Sequence, residues 1–137
     1  MLASWNTISI PISQGRLPVA ERIDGALREA LDLAPDLIGR QLVVMDWFFA
    51  RYRDHLPPER ILRYEQITAT HGRCLLDALG LDADAAMPLQ ERNANRLYAN
   101  VDVDTLCRRL LACEGTWWQF YSRDEVEKVH ERLARAR

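Results

Sequence analysis

Four positions carry side chains suited to holding an anion. The Ser4 hydroxyl can donate to a phosphate, and Arg92, Asn93 and Asn95 lie with Arg96 in a polar stretch that can hydrogen-bond an anion across a loop. Arginine presents a planar fork of donors that matches two phosphate oxygens at once, which the point charge of lysine does not. The plainer reading makes Ser4 a residue near a helix start and Arg92 to Asn95 a solvated loop. No proton-transfer group accompanies them: His55 lies just before Pro57, His71 in a first helical turn and His130 on a charged helix, with no spacing that links them. All three read as surface side chains, and no catalytic residue is assigned. Gly25, Gly39 and Gly72 are isolated, so the chain has no Gly-rich loop followed by Lys and Ser or Thr that would wrap a phosphate in backbone N–H groups. Trp117, Trp118, Phe120 and Tyr121 can stack on a ring, but clustered aromatics in an apolar chain more often pack as core.

These side chains must be positioned by a scaffold of 137 residues, enough for one domain with a real core and too few for two independent ones. Apolar residues make up 48% and charged residues 28%, the profile of a globular chain rather than a disordered one. Eighteen basic and twenty acidic side chains are well mixed, for a formal charge of -2, which gives no field for attracting a polyanion and argues against nucleic-acid binding. The start lacks the basic and apolar regions of a signal peptide, and the longest apolar stretch, Leu42 to Ala50, contains Asp46 and is too short for a bilayer. The expectation is a cytoplasmic protein with no membrane partner. Cys74, Cys107 and Cys113 form no CxxC pair, so buried free thiols are expected, with neither a disulfide framework nor a metal site.

Periodicity points to helices almost throughout. Met1 to Pro18 reads as mostly irregular, with room for a short helical turn between Leu2 and Ile10. Ile23, Ala26, Leu27, Ala30 and Leu31 share one helical face starting from Val19. After Pro35, a second helix from Leu37 to Tyr52 is apolar around most of its circumference and is therefore central, ending before Pro57 and Pro58. Arg60 to Glu65 is the one compact run that suits a strand; the alternative is an extended linker inside an all-helical bundle. Thr68 or Thr70 is expected to cap a third helix that stops at Gly80, and Asp102 or Asp104 a fourth closed by Gly115. Ser122 is expected to cap a charged last helix from Arg123 to Ala136. The fold class expected is mainly α with one short strand, which cannot satisfy its own backbone groups and so implies a sheet elsewhere.

The run Arg60-Ile61-Leu62-Arg63-Tyr64-Glu65-Gln66-Ile67, followed by a helix and Leu79-Gly80-Leu81, resembles a segment of the sulfotransferases in which a strand ending in Arg-Tyr-Glu-Asp-Leu leads to a helix closing on Leu-Gly-Leu. Gln66 stands where the family has an acidic residue. Leu2-Ala3-Ser4-Trp5 is similar to the stretch where an Arg-Asp-Pro turn runs into a helix whose serine helps bind the 3′-phosphate of 3′-phosphoadenosine 5′-phosphosulfate; only the serine half is present. Gln90 to Tyr98, with Arg92, Asn93 and Asn95, resembles the polar loop near the nucleotide.

The resemblance extends along the whole chain but covers half or less of a complete enzyme. It implies the C-terminal portion of a P-loop-type α/β fold, with residues 1–137 as one partial domain. Joined to the nucleotide-binding half, such a chain would transfer a sulfuryl group from the phosphoadenosine donor, with no metal, to a hydroxyl or amine on a small-molecule or glycan acceptor. Alone it is expected to be inactive. The alternative is a non-enzymatic helical interaction module that exposes apolar area where a sheet would lie, and self-associates through it.

Overall fold

The computed structural model describes residues 11–57, 60–82 and 101–135, and the account that follows is confined to them. They are mainly helical: α1 Pro18–Ile23, α2 Gly25–Leu33, α3 Leu37–His55, α4 Tyr64–Ala69, α5 Arg73–Leu79, α6 Val103–Ala112 and α7 Arg123–Arg135, with short 3-10 turns at Pro11–Gln14 and Thr116–Gln119. The chain groups into two compact units, one formed by Met1–Ala50 with Arg96–Arg137 and the other by Arg51–Asn95.

The helix expected from Val19 is two helices. Asp24 adopts an extended backbone, its N–H donates to the Ala20 carbonyl at the end of α1, and its Oδ1 accepts from the Leu27 N–H at 3.0 Å to start α2. One side chain thus ends one helix and caps the next. The break turns Ile23 away from the apolar face assigned to it and leaves it 84% exposed, while Leu27 and Leu31 stay buried. At the start of α1, the buried Glu21 carboxylate accepts from the Leu17 N–H at 2.6 Å and from Arg16 at 2.5 Å, satisfying a backbone donor that Pro18 and its neighbours leave open.

Helix α3 is central, as its pattern predicts. Gln41, Leu42, Val44, Met45 and Phe49 are buried, and Ala20, Leu27, Leu31 and Trp117 close around them. Gln41 has no exposed surface, and its Nε2 donates to the Ser13 carbonyl at 2.7 Å, so the amide ties the segment before α1 to the core. Gly15, at φ +64, lets that segment pass over α3; a Cβ there would lie 2.5 Å from the Arg40 Cβ. A second cluster gathers Val101, Val103 and Leu106 with Ile38 and Leu133, so α6 packs on α3 and α7 closes over α6.

Helix α6 is capped by Asp102, whose side chain accepts from the Thr105 N–H, in agreement with the sequence. It ends at Ala112 rather than at Gly115, which instead begins the Thr116–Gln119 turn. A Cβ on Gly115 would collide with the Trp117 ring, which explains a glycine there without a helix stop. Helix α7 begins as expected: the Ser122 Oγ accepts from the Glu125 N–H and the Glu125 carboxylate accepts from the Ser122 N–H, a capping box.

In the unit formed by Arg51–Asn95 the sequence expectation needs correction. Arg60 to Glu65 is not a strand, and no strand occurs among the described residues. Residues 61–63 are non-helical and Tyr64 opens α4. The cause is local: the Gln66 Oε1 accepts from the Arg63 N–H at 2.9 Å and Glu65 places a negative charge in the first turn, both of which favour a helix start. Helix α5 is preceded by Gly72 rather than by Thr68 or Thr70 at its cap position: Thr68 lies within α4, and Thr70, two residues before Gly72, accepts at its Oγ1 from the Cys74 N–H. The helix ends as predicted at Gly80, whose φ of +66 allows the Gly80 N–H to donate to Asp77 and the Leu81 N–H to Leu76.

Leu31→Ala should lower stability by about 3 kcal/mol, the cost of an unfilled cavity at a fully buried leucine. Gly15→Ala should cost about 2 kcal/mol through left-handed strain and the Arg40 contact. Urea midpoints of the purified variants, at unchanged m-value, measure both.

Candidate functional site

Ser4, Arg92, Asn93 and Asn95, the residues assigned to an anion by the sequence, lie outside the described residues. The other residues singled out for chemistry are described, and most have structural partners.

The aromatic cluster packs as core. Trp117 is buried, and the Phe49 ring lies 5.1 Å from Phe120 and 5.9 Å from Tyr121, the latter edge-on. Trp118 donates its Nε1 hydrogen to the Cys113 carbonyl at 2.9 Å, and the Arg123 guanidinium sits 4.7 Å above its ring while donating to the Leu111 carbonyl. Both side chains therefore satisfy carbonyls at the C-terminal end of α6, where a cation is favoured.

One open groove combines a thiol, an imidazole and two carboxylates. It runs between α6 and α7 and is lined by Asp104, Cys107, Glu127 and His130. The His130 Nε2 lies 2.6 Å from the Asp104 Oδ1, which joins the two helices through a charge-capable contact. Burial pushes the Cys107 thiol above its ordinary pKa, and the Glu127 and Asp104 carboxylates push it further. A nucleophilic or metal-binding cysteine needs the opposite environment, one that favours the thiolate. No group of three or more metal-ligating side chains with suitable geometry occurs among the described residues.

The remaining strong pair is structural. Arg109 grips Asp36 with two hydrogen bonds, 2.8 and 3.2 Å long, linking α6 to the start of α3. The same carboxylate accepts from the Gly39 N–H at 2.7 Å and so caps α3. The Arg109 guanidinium, and after it the Gly39 N–H, hold the Asp36 carboxyl below the usual carboxylate range. Of the other histidines, His55 lies 3.4 Å from Arg51 on an exposed helix turn. His71, expected in a first helical turn, instead takes a left-handed backbone, φ 51, in the turn between α4 and α5.

Apolar surface stays exposed in both units. In the unit formed by Arg51–Asn95, Tyr64, Leu75, Leu79 and Leu81 are exposed, Leu79 by 63%, and no described side chain of α4 or α5 is buried. In the other unit Val19, Ile23 and Leu33 are exposed as well. No helix among the described residues is long and apolar enough to cross a membrane.

The chain matches no family model, no curated protein and no solved structure.

Two tests follow from the site. Asp36 has a lowered folded-state pKa, so its contribution to stability is present above the unfolded carboxyl pKa and lost as pH falls through the folded one. Asp36→Asn retains a capping oxygen but no charge; its stability deficit relative to the native chain should be constant near neutrality and vanish on acidification below the usual aspartate range, as followed by denaturant titration. The raised Cys107 thiol should be alkylated more slowly than a free thiol at pH 8 in a Cys74→Ser, Cys113→Ser background, with its rate rising only at higher pH.

Proposed function

We propose that this chain is the C-terminal portion of a sulfotransferase-type protein, which contributes acceptor-side helices and part of the 3′-phosphate site to an enzyme that uses 3′-phosphoadenosine 5′-phosphosulfate. The observation that supports this reading is the order of local structure across the most specific stretch of resemblance. Residues 61–63 are non-helical, Tyr64 and Glu65 open a helix, and the following helix closes on Leu79-Gly80-Leu81 with Gly80 in the left-handed conformation. The family pattern has a strand where this chain has a non-helical lead-in, and in that respect the chain departs from the pattern.

Sulfuryl transfer needs donors around the phosphosulfate, a base for the acceptor proton and a cation for charge developing on the bridging oxygen. The described residues offer no such set, and the reading therefore assigns those parts to the nucleotide-binding half. Ser4 would donate to the 3′-phosphate, with Arg92, Asn93 and Asn95 near the nucleotide. The acceptor in this reading is a hydroxyl or amine on a small molecule or glycan, and the chain alone has no turnover.

A second reading, a non-enzymatic helical interaction module, is favoured by the exposed leucines of α5 and by the all-helical character of the described residues. Adenosine 3′,5′-bisphosphate discriminates the two. A ligand that binds only the folded state raises its melting midpoint with concentration, so the enzyme-derived chain should show a dose-dependent shift that is reduced by Ser4→Ala. No shift at millimolar ligand favours the module, and consumption of the phosphosulfate donor by the purified chain refutes the assignment of chemistry to another segment.

A further inference from the structure

We draw no further inference here: the strongest candidate, the exposed apolar face that Leu75 and Leu79 of α5 and Leu81 just beyond it present in the unit formed by Arg51–Asn95, carries nothing because nothing in the structure shows what covers it.

Discussion

Helix α3 carries apolar side chains on more of its surface than any single neighbour can cover, and the packing around its buried part follows from that requirement. Leu42, Val44, Met45 and Phe49 are turned toward more than one side, so α2, the aromatic turn after α6 and the segment before α1 must all approach it. Burial of one such side chain is worth about 2 kcal/mol, and together these contacts outweigh the ordering of short helices that would be marginal in isolation. The one polar residue placed deepest on that helix, Gln41, is tolerated because its amide meets the Ser13 carbonyl. Hydrogen bonding makes the burial affordable and also fixes which carbonyl must lie there.

Apolar packing alone would leave the helices free to slide, and three aspartates restrict it. Asp24 caps α2 with one oxygen and accepts from the Trp47 indole with the other; Asp36 caps α3 and binds Arg109; Asp46 accepts from the Thr116 N–H where the aromatic turn begins. Each joins a local need, an open backbone N–H, to a partner distant in sequence. Hydrogen bonds to a carboxylate are stronger than bonds between neutral groups and sensitive to geometry. The helix ends are therefore also the points at which the tertiary arrangement is specified.

Much of this was legible from residue types. The central helix is announced by its apolar circumference, and the cap of α6 by Asp102 or Asp104, the start of α7 by Ser122 and the end of α5 by Gly80 rest on interactions within one or two turns of chain. What periodicity missed depends on competition between neighbours. Ile23 continues the apolar spacing of α2, yet Asp24 offers a better cap than the helix offers continuation. Arg60 to Glu65 has strand-like composition, yet Gln66 and Glu65 favour a helix start and no described strand is there to pair with it. The pairs Asp36 with Arg109 and His130 with Asp104 span 73 and 26 residues, separations at which charge identity alone selects no partner. The candidate anion residues were legible only through resemblance, because a serine or an Arg-Asn stretch is also ordinary surface.

The two units differ in how they meet the cost of order. The unit formed by Met1–Ala50 with Arg96–Arg137 holds both clusters of buried apolar side chains, whereas α4 and α5 have six and seven residues, and no described residue on them is buried. Helices that short are not held by backbone propensity, and their hydrogen-bonded caps at Gln66, Thr70 and Gly80 supply only part of the deficit. Leu75 and Leu79 of α5 keep part of their surface in water, so covering them would release free energy that the present arrangement does not use. The two functional readings would cover that surface differently. In one, a nucleotide-binding half covers the helices and catalysis follows from the assembled site; in the other, the covering surface belongs to a partner, and binding is itself the function. Apolar burial is non-directional, so the exposed leucines that favour the module specify no particular partner, whereas recognition of a 3′-phosphate requires directed donors, and it is that chemistry which separates the two readings.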